Sequence, residues 1–270
     1  MPSFTTPAIV IRRADYSDYD RMITLFSPEL GRVEAIARGC RRPKSPLVNA
    51  VEPFTSGEFQ LFSHRERNSL EQCQISESYF ELRADYDRLR HGVYWLKLLD
   101  TAILPDTPAP DLFIITLRAL AHLNYGELPP ELVTFAFECH FMRLMGLSPR
   151  MDSCVRCGRP IDGDCRFDAD LGGAVCVDCR CSPSDSADPR NRGYAAGSLI
   201  GSAAPSPAPK LSNGARRILM KTPRTQFDKF QLLSSRPEWP EAARFMRSWV
   251  NLRMRMDRFA PPLVESANRV

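Results

Sequence analysis

The chain has 270 residues, 43% hydrophobic and 25% charged, a composition that excludes wholesale disorder and allows about two domains. Its net charge of +4 is too small to indicate a partner, and no apolar run reaches the roughly 18 residues that a membrane-spanning helix needs. The first residues lack the basic and apolar pattern of a secretory signal, so we expect a cytoplasmic protein.

Residues 8–77 carry the pattern of short β-strands separated by turns. Runs of β-favouring residues predict five strands, at 8–13, 21–26, 32–37, 58–62 and 69–78. The segment Ser27–Gly31 has Pro and Gly where a turn requires them. Five strands in so short a segment are typical of a small barrel, of which the OB-fold is the common nucleic-acid-binding type. An SH3-like barrel fits the same pattern.

A basic loop is predicted between the third and fourth strands. Residues 38–45, RGCRRPKS, contain four cations and no acid, and their Gly and Pro favour a loop. Arginine forks suit phosphate oxygens, and a loop at a barrel mouth can follow a nucleic-acid backbone. A solvated basic loop fits the composition equally well. The candidate phosphate contacts are Arg38, Arg41, Arg42 and Lys44. Candidate stacking aromatics, or core residues, are Tyr16, Tyr19, Phe26, Phe54, Phe59 and Phe62.

Residues 80–147 show helical spacing of apolar side chains. The spacing predicts a helix over 80–104 ended by prolines, a second one capped by Asp111, and an apolar third one over 131–147 at the centre of a bundle. Three histidines fall in these helices without partners that would suggest catalysis. The chain also lacks phosphate-binding, serine-hydrolase and zinc-protease motifs, so we expect no enzyme activity.

Four of the nine cysteines follow the spacing C-x2-C-x18-C-x2-C. The candidate ligands are Cys154, Cys157, Cys176 and Cys179. This spacing is typical of a four-cysteine zinc ribbon, and four thiolates leave no open coordination position, so the sequence predicts one structural zinc ion. A redox dithiol or unrelated thiols would fit less well. Cys181 could replace Cys179, and Cys165 lies between the two pairs.

The C-terminal third is basic. Residues 210–258 have a local net charge of +8, whereas residues 68–150 have −4. An amphipathic helix is predicted over 240–259, with Phe245, Trp249, Leu252, Met256 and Phe259 on one face and an outward row formed by Arg244, Arg247, Arg255 and Arg258. Arg216 and Arg217, on a preceding helix, are further candidate phosphate contacts, although most such rows are only solvated faces.

Together, several of these segments resemble the RecO family of bacterial DNA repair proteins. The similarity rests on residues 10–16, 20–31, 35–39 and 41–45, on Leu61–Phe62, and on the two cysteine pairs with Gly158 and Gly172–Gly173. It implies an N-terminal OB-fold, a helical domain and a zinc ribbon. It also implies a non-enzymatic recombination mediator, in bacterial cytoplasm at the nucleoid, that binds single- and double-stranded DNA and anneals complementary strands. The implied partners are RecR, with which it would load RecA onto strands coated by single-strand-binding protein, and the acidic and hydrophobic tail of that coating protein.

We therefore predict an α+β protein: an N-terminal OB-fold β-barrel followed by an α-helical domain carrying a four-cysteine zinc ribbon. The predicted parts are the barrel at 1–79, helical segments at 80–150 and 211–270, the ribbon at 151–182, and a linker rich in Ser, Pro, Ala and Gly at 183–210. The alternative function is a zinc-ribbon scaffold that binds an acidic protein partner.

Overall fold

A computed structural model describes residues 3–65, 67–180, 209–256 and 261. The predicted linker lies outside the described residues except for its last two positions, and so do Phe259 and Arg258 of the predicted last helix. Within the described ranges, no helix is long and apolar enough to cross a membrane.

The N-terminal part is a closed five-stranded barrel in the strand order β1-β2-β3-β5-β4. Its strands are β1 Ser3–Asp15, β2 Arg21–Ser27, β3 Gly31–Ala37, β4 Ser56–His64 and β5 Arg67–Glu77. Neighbouring strands are antiparallel except for β3 and β5, which close the barrel through a short parallel pairing. The predicted five-stranded barrel is confirmed.

The long strand β1 is shared between two sides of the barrel. It pairs with β4 from Ser3 to Ile9 and with β2 from Ile9 to Asp15. A register shift between Val10 and Arg12 marks an irregularity that lets the strand bend from one pairing to the other. Alternate side chains then point inward, and the barrel core includes Ala8, Val10, Ile23, Leu25, Phe59 and Leu61.

The helical domain begins directly after the barrel. Its helices are α1 Phe80–Ala84, α2 Tyr86–Ala102, α3 Pro110–Tyr125, α4 Pro130–Leu144, α5 Val177–Arg180, α6 Asn213–Lys221, α7 Gln231–Ser234 and α8 Trp239–Met254. The predicted continuous helix over 80–104 is broken at Asp85, whose side chain accepts hydrogen bonds from the first backbone N–H groups of α2. Pro110 begins α3 instead of only ending the previous helix, and Asp111 lies in its first turn.

A backbone joint connects the barrel to the helical domain. The turn between β2 and β3 exchanges hydrogen bonds with the loop between α2 and α3, where Arg32 N–H donates to the Leu104 carbonyl at 3.1 Å and Ala109 N–H donates to the Pro28 carbonyl at 2.9 Å. Gly31, at φ 65°, occupies the closest approach, and a Cβ there would lie 2.4 Å from the Leu104 oxygen. Only glycine fits this position.

The last helix, α8, places its arginines in different environments. Arg244 is exposed, but Arg247 is only 5% exposed and forms an ion pair with the buried Glu138 of α4. Arg247 also donates to the Pro261 carbonyl at 2.6 Å and lies over the ring of Tyr94. The prediction of an outward arginine row is therefore wrong for Arg247, because α4 brings a carboxylate to it inside the core.

The apolar face of α8 also differs from its prediction. The helix ends at Met254, five residues before the predicted end. Phe245, Trp249 and Met256 are buried as expected, but Leu252 is exposed. Leu252 instead lines an open groove between α8 and a small sheet, where its side chain stays accessible to solvent.

The small sheet contains three short antiparallel strands in the order β7-β6-β8. These strands are β6 Cys165–Asp168, β7 Gly173–Val175 and β8 Lys210–Leu211. Phe167 of β6 packs edge-on against Phe245 and Trp249, which attaches the sheet to α8. The sheet, its preceding loop and α5 carry the four spaced cysteines.

Candidate nucleic-acid interface and metal centre

Two loops at one end of the barrel, the one between β1 and β2 and the basic loop after β3, are joined by hydrogen bonds. The Asp20 carboxylate accepts a hydrogen bond from Gly39 N–H at 2.7 Å, and Arg41 N–H donates to the Tyr19 carbonyl at 3.1 Å. The hydrogen bond from Gly39, assisted by Ser17, holds the pKa of Asp20 below its usual value. Asp20 therefore stays ionised and fixes the basic loop against the loop between β1 and β2.

A cleft of about 680 Å³ opens beside these loops. Its lining is Tyr16, Asp20, Ile36, Arg38, His64, Arg65, Arg67 and Ser69. We call this site the barrel cleft. Arg38, Arg65 and Arg67 are exposed, and none of the three forms an ion pair within the described part of the chain. Three guanidinium groups outnumber the one carboxylate in this lining, Asp20, which also interacts electrostatically with Arg38, so the potential at this concave surface is positive and favours a phosphate ligand.

Arg65 and Arg67 were not among the predicted contacts. They flank the tight turn between β4 and β5, and Arg65 has the positive φ of 47° found in such turns. The segment 64–67, HRER, is rich in cations, and that composition was the available signal. Only the closed barrel places this turn beside Arg38.

The remaining predicted loop cations are outside the lining of the barrel cleft, on the basic loop that carries Arg38. Arg41 donates to the Ser17 carbonyl at 3.2 Å and pairs with Asp15 at 3.5 Å, whereas Arg42 lies over the ring of Tyr19 and Lys44 is exposed. Among the candidate stacking aromatics, Tyr16 and Tyr19 are 54% and 55% exposed. Those buried in the cores are Phe26, Phe54 and Phe59. The surface thus presents cations and aromatic faces together, as single-strand binding sites do.

The predicted contacts on α6 separate into one buried and one exposed arginine. Arg216 is 4% exposed and donates to the Met151 carbonyl and to Asn213 Oδ1, both at 2.9 Å. Its guanidinium is thus engaged inside the domain, so the expectation that Arg216 meets a phosphate does not agree with the structure. Arg217, the next residue, points to solvent.

The four spaced cysteines converge on one point. The Sγ atoms of Cys154, Cys157, Cys176 and Cys179 all lie within 4.8 Å of one another. The separation of Cys157 Sγ and Cys176 Sγ is 3.7 Å, and tetrahedral ligands about 2.3 Å from a zinc ion would be about 3.8 Å apart. Gly158, at φ 75°, lets its N–H turn back to the Cys154 carbonyl at 2.9 Å. The donor set therefore fits a tetrahedral metal ion.

Electrostatics differ among the four cysteines, and hydrogen bonds lower the pKa of two of them, Cys154 and Cys157, which favours their thiolates. Arg159 donates to Cys157 Sγ at 3.5 Å and lowers the pKa of Cys157 to about 6, while it also pairs with Asp178 at 2.8 Å. Cys179 has its pKa raised to about 12 because its thiol hydrogen-bonds to neighbouring sulfurs. Cys165 is not in the converging set; its burial raises its pKa to about 11. Cys181 lies outside the described residues.

Comparisons with known proteins cover both parts of the molecule. The family model "Recombination protein O N terminal" matches residues 1–79, and "Recombination protein O C terminal" matches residues 83–222. The chain belongs to the RecO family. The predicted resemblance is confirmed, with the basic loop in the first match and the cysteine cluster in the second. The barrel is accordingly the OB-fold of the RecO N-terminal domain.

Curated relatives carry the name DNA repair protein RecO. The relative from Syntrophomonas wolfei is 32% identical over 194 residues, which is 72% of this chain and 77% of the relative. The one from Moorella thermoacetica is 31% identical over 179 residues, and the alignment spans 66% of each chain. That from Anaeromyxobacter is 36% identical over 174 residues, which is 63% of this chain and 68% of the relative.

Proposed function

We propose that this chain is a recombination mediator that binds single- and double-stranded DNA and anneals complementary strands. With RecR, it would help load RecA onto strands coated by single-strand-binding protein. The barrel cleft is the observation that carries the proposal, because it combines free cations with exposed tyrosines on a barrel of the RecO type. Membership of the RecO family supports the RecR and RecA parts.

The proposed phosphate contacts are three arginines that line the barrel cleft and three further cations of the basic loop that carries Arg38. They are Arg38, Arg41, Arg42 and Lys44, with Arg65 and Arg67 added from the structure. Each charge that meets a phosphate displaces a condensed counterion, so the contacts supply affinity without reading sequence. Tyr16 and Tyr19 would stack on unpaired bases, which favours a single strand over a duplex at this position. The proposed action is binding alone, without a covalent step.

The test is fluorescence anisotropy of a labelled single-stranded oligonucleotide across a salt series. Four to eight phosphate contacts give a slope of log affinity against log salt of about −3 to −6, from roughly −0.7 per contact. We expect Arg38→Glu/Arg67→Glu to weaken binding roughly tenfold or more at low salt and to flatten the slope. The matched control is Arg118→Glu/Arg143→Glu, which reverses two exposed charges on α3 and α4.

Either of two results would reject the proposed site. Equal weakening by both double variants would mean that only the overall charge matters. Absence of binding by the unmodified protein at low salt would favour the alternative, a scaffold for an acidic protein partner.

We propose zinc as the ion held by the four cysteines. Four thiolates suit a borderline-soft ion in tetrahedral geometry, and a set without an open position stabilises structure instead of activating water. The ion would fix the loop at Cys154 and Cys157 to the start of α5, across strands too short to be stable alone.

Cys157→Ser should remove the bound zinc, lowering it from one ion per chain to none by elemental analysis, and should destabilise the small sheet. The control is Cys73→Ser on β5, a half-buried cysteine of the barrel, which should keep the zinc. Zinc retained by Cys157→Ser would contradict the ligand assignment.

We place the acidic and hydrophobic tail of single-strand-binding protein in a groove between the small sheet and α8. This groove has a volume of about 410 Å³ and is mostly apolar, with Phe167, Trp249 and Leu252 among its lining residues. Lys210 and Arg244 at the same site could pair with the carboxylates of such a tail.

A further inference from the structure

A second set of free cations lies on the helical domain, on α6 and the segment that follows it. All five members are exposed, and none has an ion pair or side-chain hydrogen bond within the part of the chain that the structure describes: Arg217, Lys221, Arg224, Lys229 and Arg236. We call this set the helical cation surface. It shares no secondary-structure element with the barrel cleft.

Three of these cations form a row. Arg217 and Lys221 are four residues apart on α6, so they lie on one helix face. Arg224 follows in a 3₁₀ turn, where residues three apart are eclipsed, and so it continues the row beyond Lys221. With a rise of 1.5–2.0 Å per residue the row spans about 10 Å. One strand of B-form nucleic acid carries a phosphate about every 3.4 Å of axis, so the row spans the length of about four phosphates.

A shallow groove of about 260 Å³ lies beside the row. Arg217, Lys221 and Arg236 line it together with Ile218 and Leu233. The carboxylate in the lining belongs to Glu238, and it pairs with none of these cations in the described structure. The electrostatic potential in this groove is therefore positive, and its apolar surface is small and comes from Ile218 and Leu233.

The segment carrying these cations is held from below by aromatic packing. Phe227 stacks on His122 and on His140, whose ring centroids lie 5.7 and 5.3 Å away. His140 Nε2 also lies 2.9 Å from the Thr225 carbonyl. Burial lowers the pKa of His140, so its ring is neutral near pH 7 and adds no charge beneath the cations. Aromatic packing therefore holds this segment in place, and the cations of the row form no ion pairs within the described residues.

We propose that the helical cation surface binds the phosphate backbone of a second nucleic-acid strand while the barrel cleft holds the first. The inference rests on the proposed function, since it needs a strand at the barrel. Nucleic acid is favoured over an acidic protein because the cations extend in a row, whereas a protein partner requires a larger apolar centre than Ile218 and Leu233 provide. One chain would then hold two strands at a distance set by the fold.

The test separates the two surfaces. The protein is loaded onto an immobilised single-stranded oligonucleotide, and capture of a second labelled strand, not complementary to the first, is measured at low salt. Lys221→Glu/Arg224→Glu should keep loading on the first strand within about twofold and reduce capture of the second roughly tenfold. Arg118→Glu/Arg143→Glu is the matched control and should capture the second strand normally. Thermal unfolding of both variants verifies that they are folded.

Three outcomes would overturn the inference. Equal capture by Lys221→Glu/Arg224→Glu and the unmodified protein would show that the row binds no second strand. Loading without any capture by the unmodified protein would leave the barrel function intact and return the row to an acidic protein partner. Failure of the unmodified protein to load at all would instead reject the proposed function, on which the inference depends.

Discussion

The basic loop at 38–44 and the helix α8 both carry several arginines, but the two regions place them in opposite environments. Arg38 is exposed in the barrel cleft and forms no ion pair within the described residues, while the Asp20 carboxylate of the same lining accepts a hydrogen bond from the Gly39 backbone N–H. Arg247 is buried against Glu138. Counting charged residues along the sequence treats Arg38 and Arg247 as equal candidates for a phosphate contact. Whether a cation is available to a phosphate depends on whether the fold buries it against an internal acceptor, such as a carboxylate.

The buried pair explains why the charge density of the C-terminal part overestimates its exposed positive surface. Glu138 is on the central helix α4, which is apolar on most faces and buried. A lone carboxylate there would be strongly destabilising, and Arg247 with the Tyr94 hydroxyl satisfies it. Arg216 plays a similar part near the cysteine cluster, because it supplies hydrogen bonds to Met151 and Asn213.

Arg247→Ala is expected to cause the largest loss of stability, and it tests the contrast between buried and exposed arginines most directly. Removing the cation leaves Glu138 buried and unpaired, which should lower the free energy of unfolding by about 3–5 kcal/mol at pH 7. Urea unfolding measures the change. Arg244→Ala, on the exposed side of the same helix, should change stability by less than about 0.5 kcal/mol.

The pH dependence of Arg247→Ala gives an independent check. Burial raises the pKa of Glu138, and the variant lacks the cation that opposes this shift. A carboxyl with a raised pKa binds its proton more readily in the folded state, so stability lost at pH 7 should be partly regained as the pH falls toward about 5. A loss that stays constant over this range would mean that packing, and not the charge of Glu138, is responsible.

A smaller effect is expected from Arg216→Ala. It leaves the Met151 carbonyl without its partner and should cost about 1–3 kcal/mol of unfolding free energy, again measured in urea. Arg217→Ala should leave stability nearly unchanged and affect only strand binding. If Arg217→Ala were the more destabilising of the two, it would contradict our assignment of Arg216 to the interior and Arg217 to the binding surface.

Sequence patterns predicted the parts of the molecule that depend on local rules. Runs of β-favouring residues separated by turns predicted the barrel, and the fixed spacing of the paired cysteines predicted the cluster, since both signals lie within short segments. The partner of Arg247 lies 109 positions away, and periodicity within α8 contains no signal for it. The contribution of Arg65 and Arg67 likewise depends on barrel closure, which places a distant turn beside Arg38.

The glycine at the joint between barrel and helices has a consequence for how a strand would be handled. Gly31 lets backbone groups of the two parts bond directly, without an intervening flexible tether. A residue with a Cβ at position 31 would place that atom 2.4 Å from the Leu104 oxygen, so the barrel and the helices would have to shift relative to each other. The relative position of the barrel cleft and the helical cation surface therefore depends in part on one residue that has no side chain.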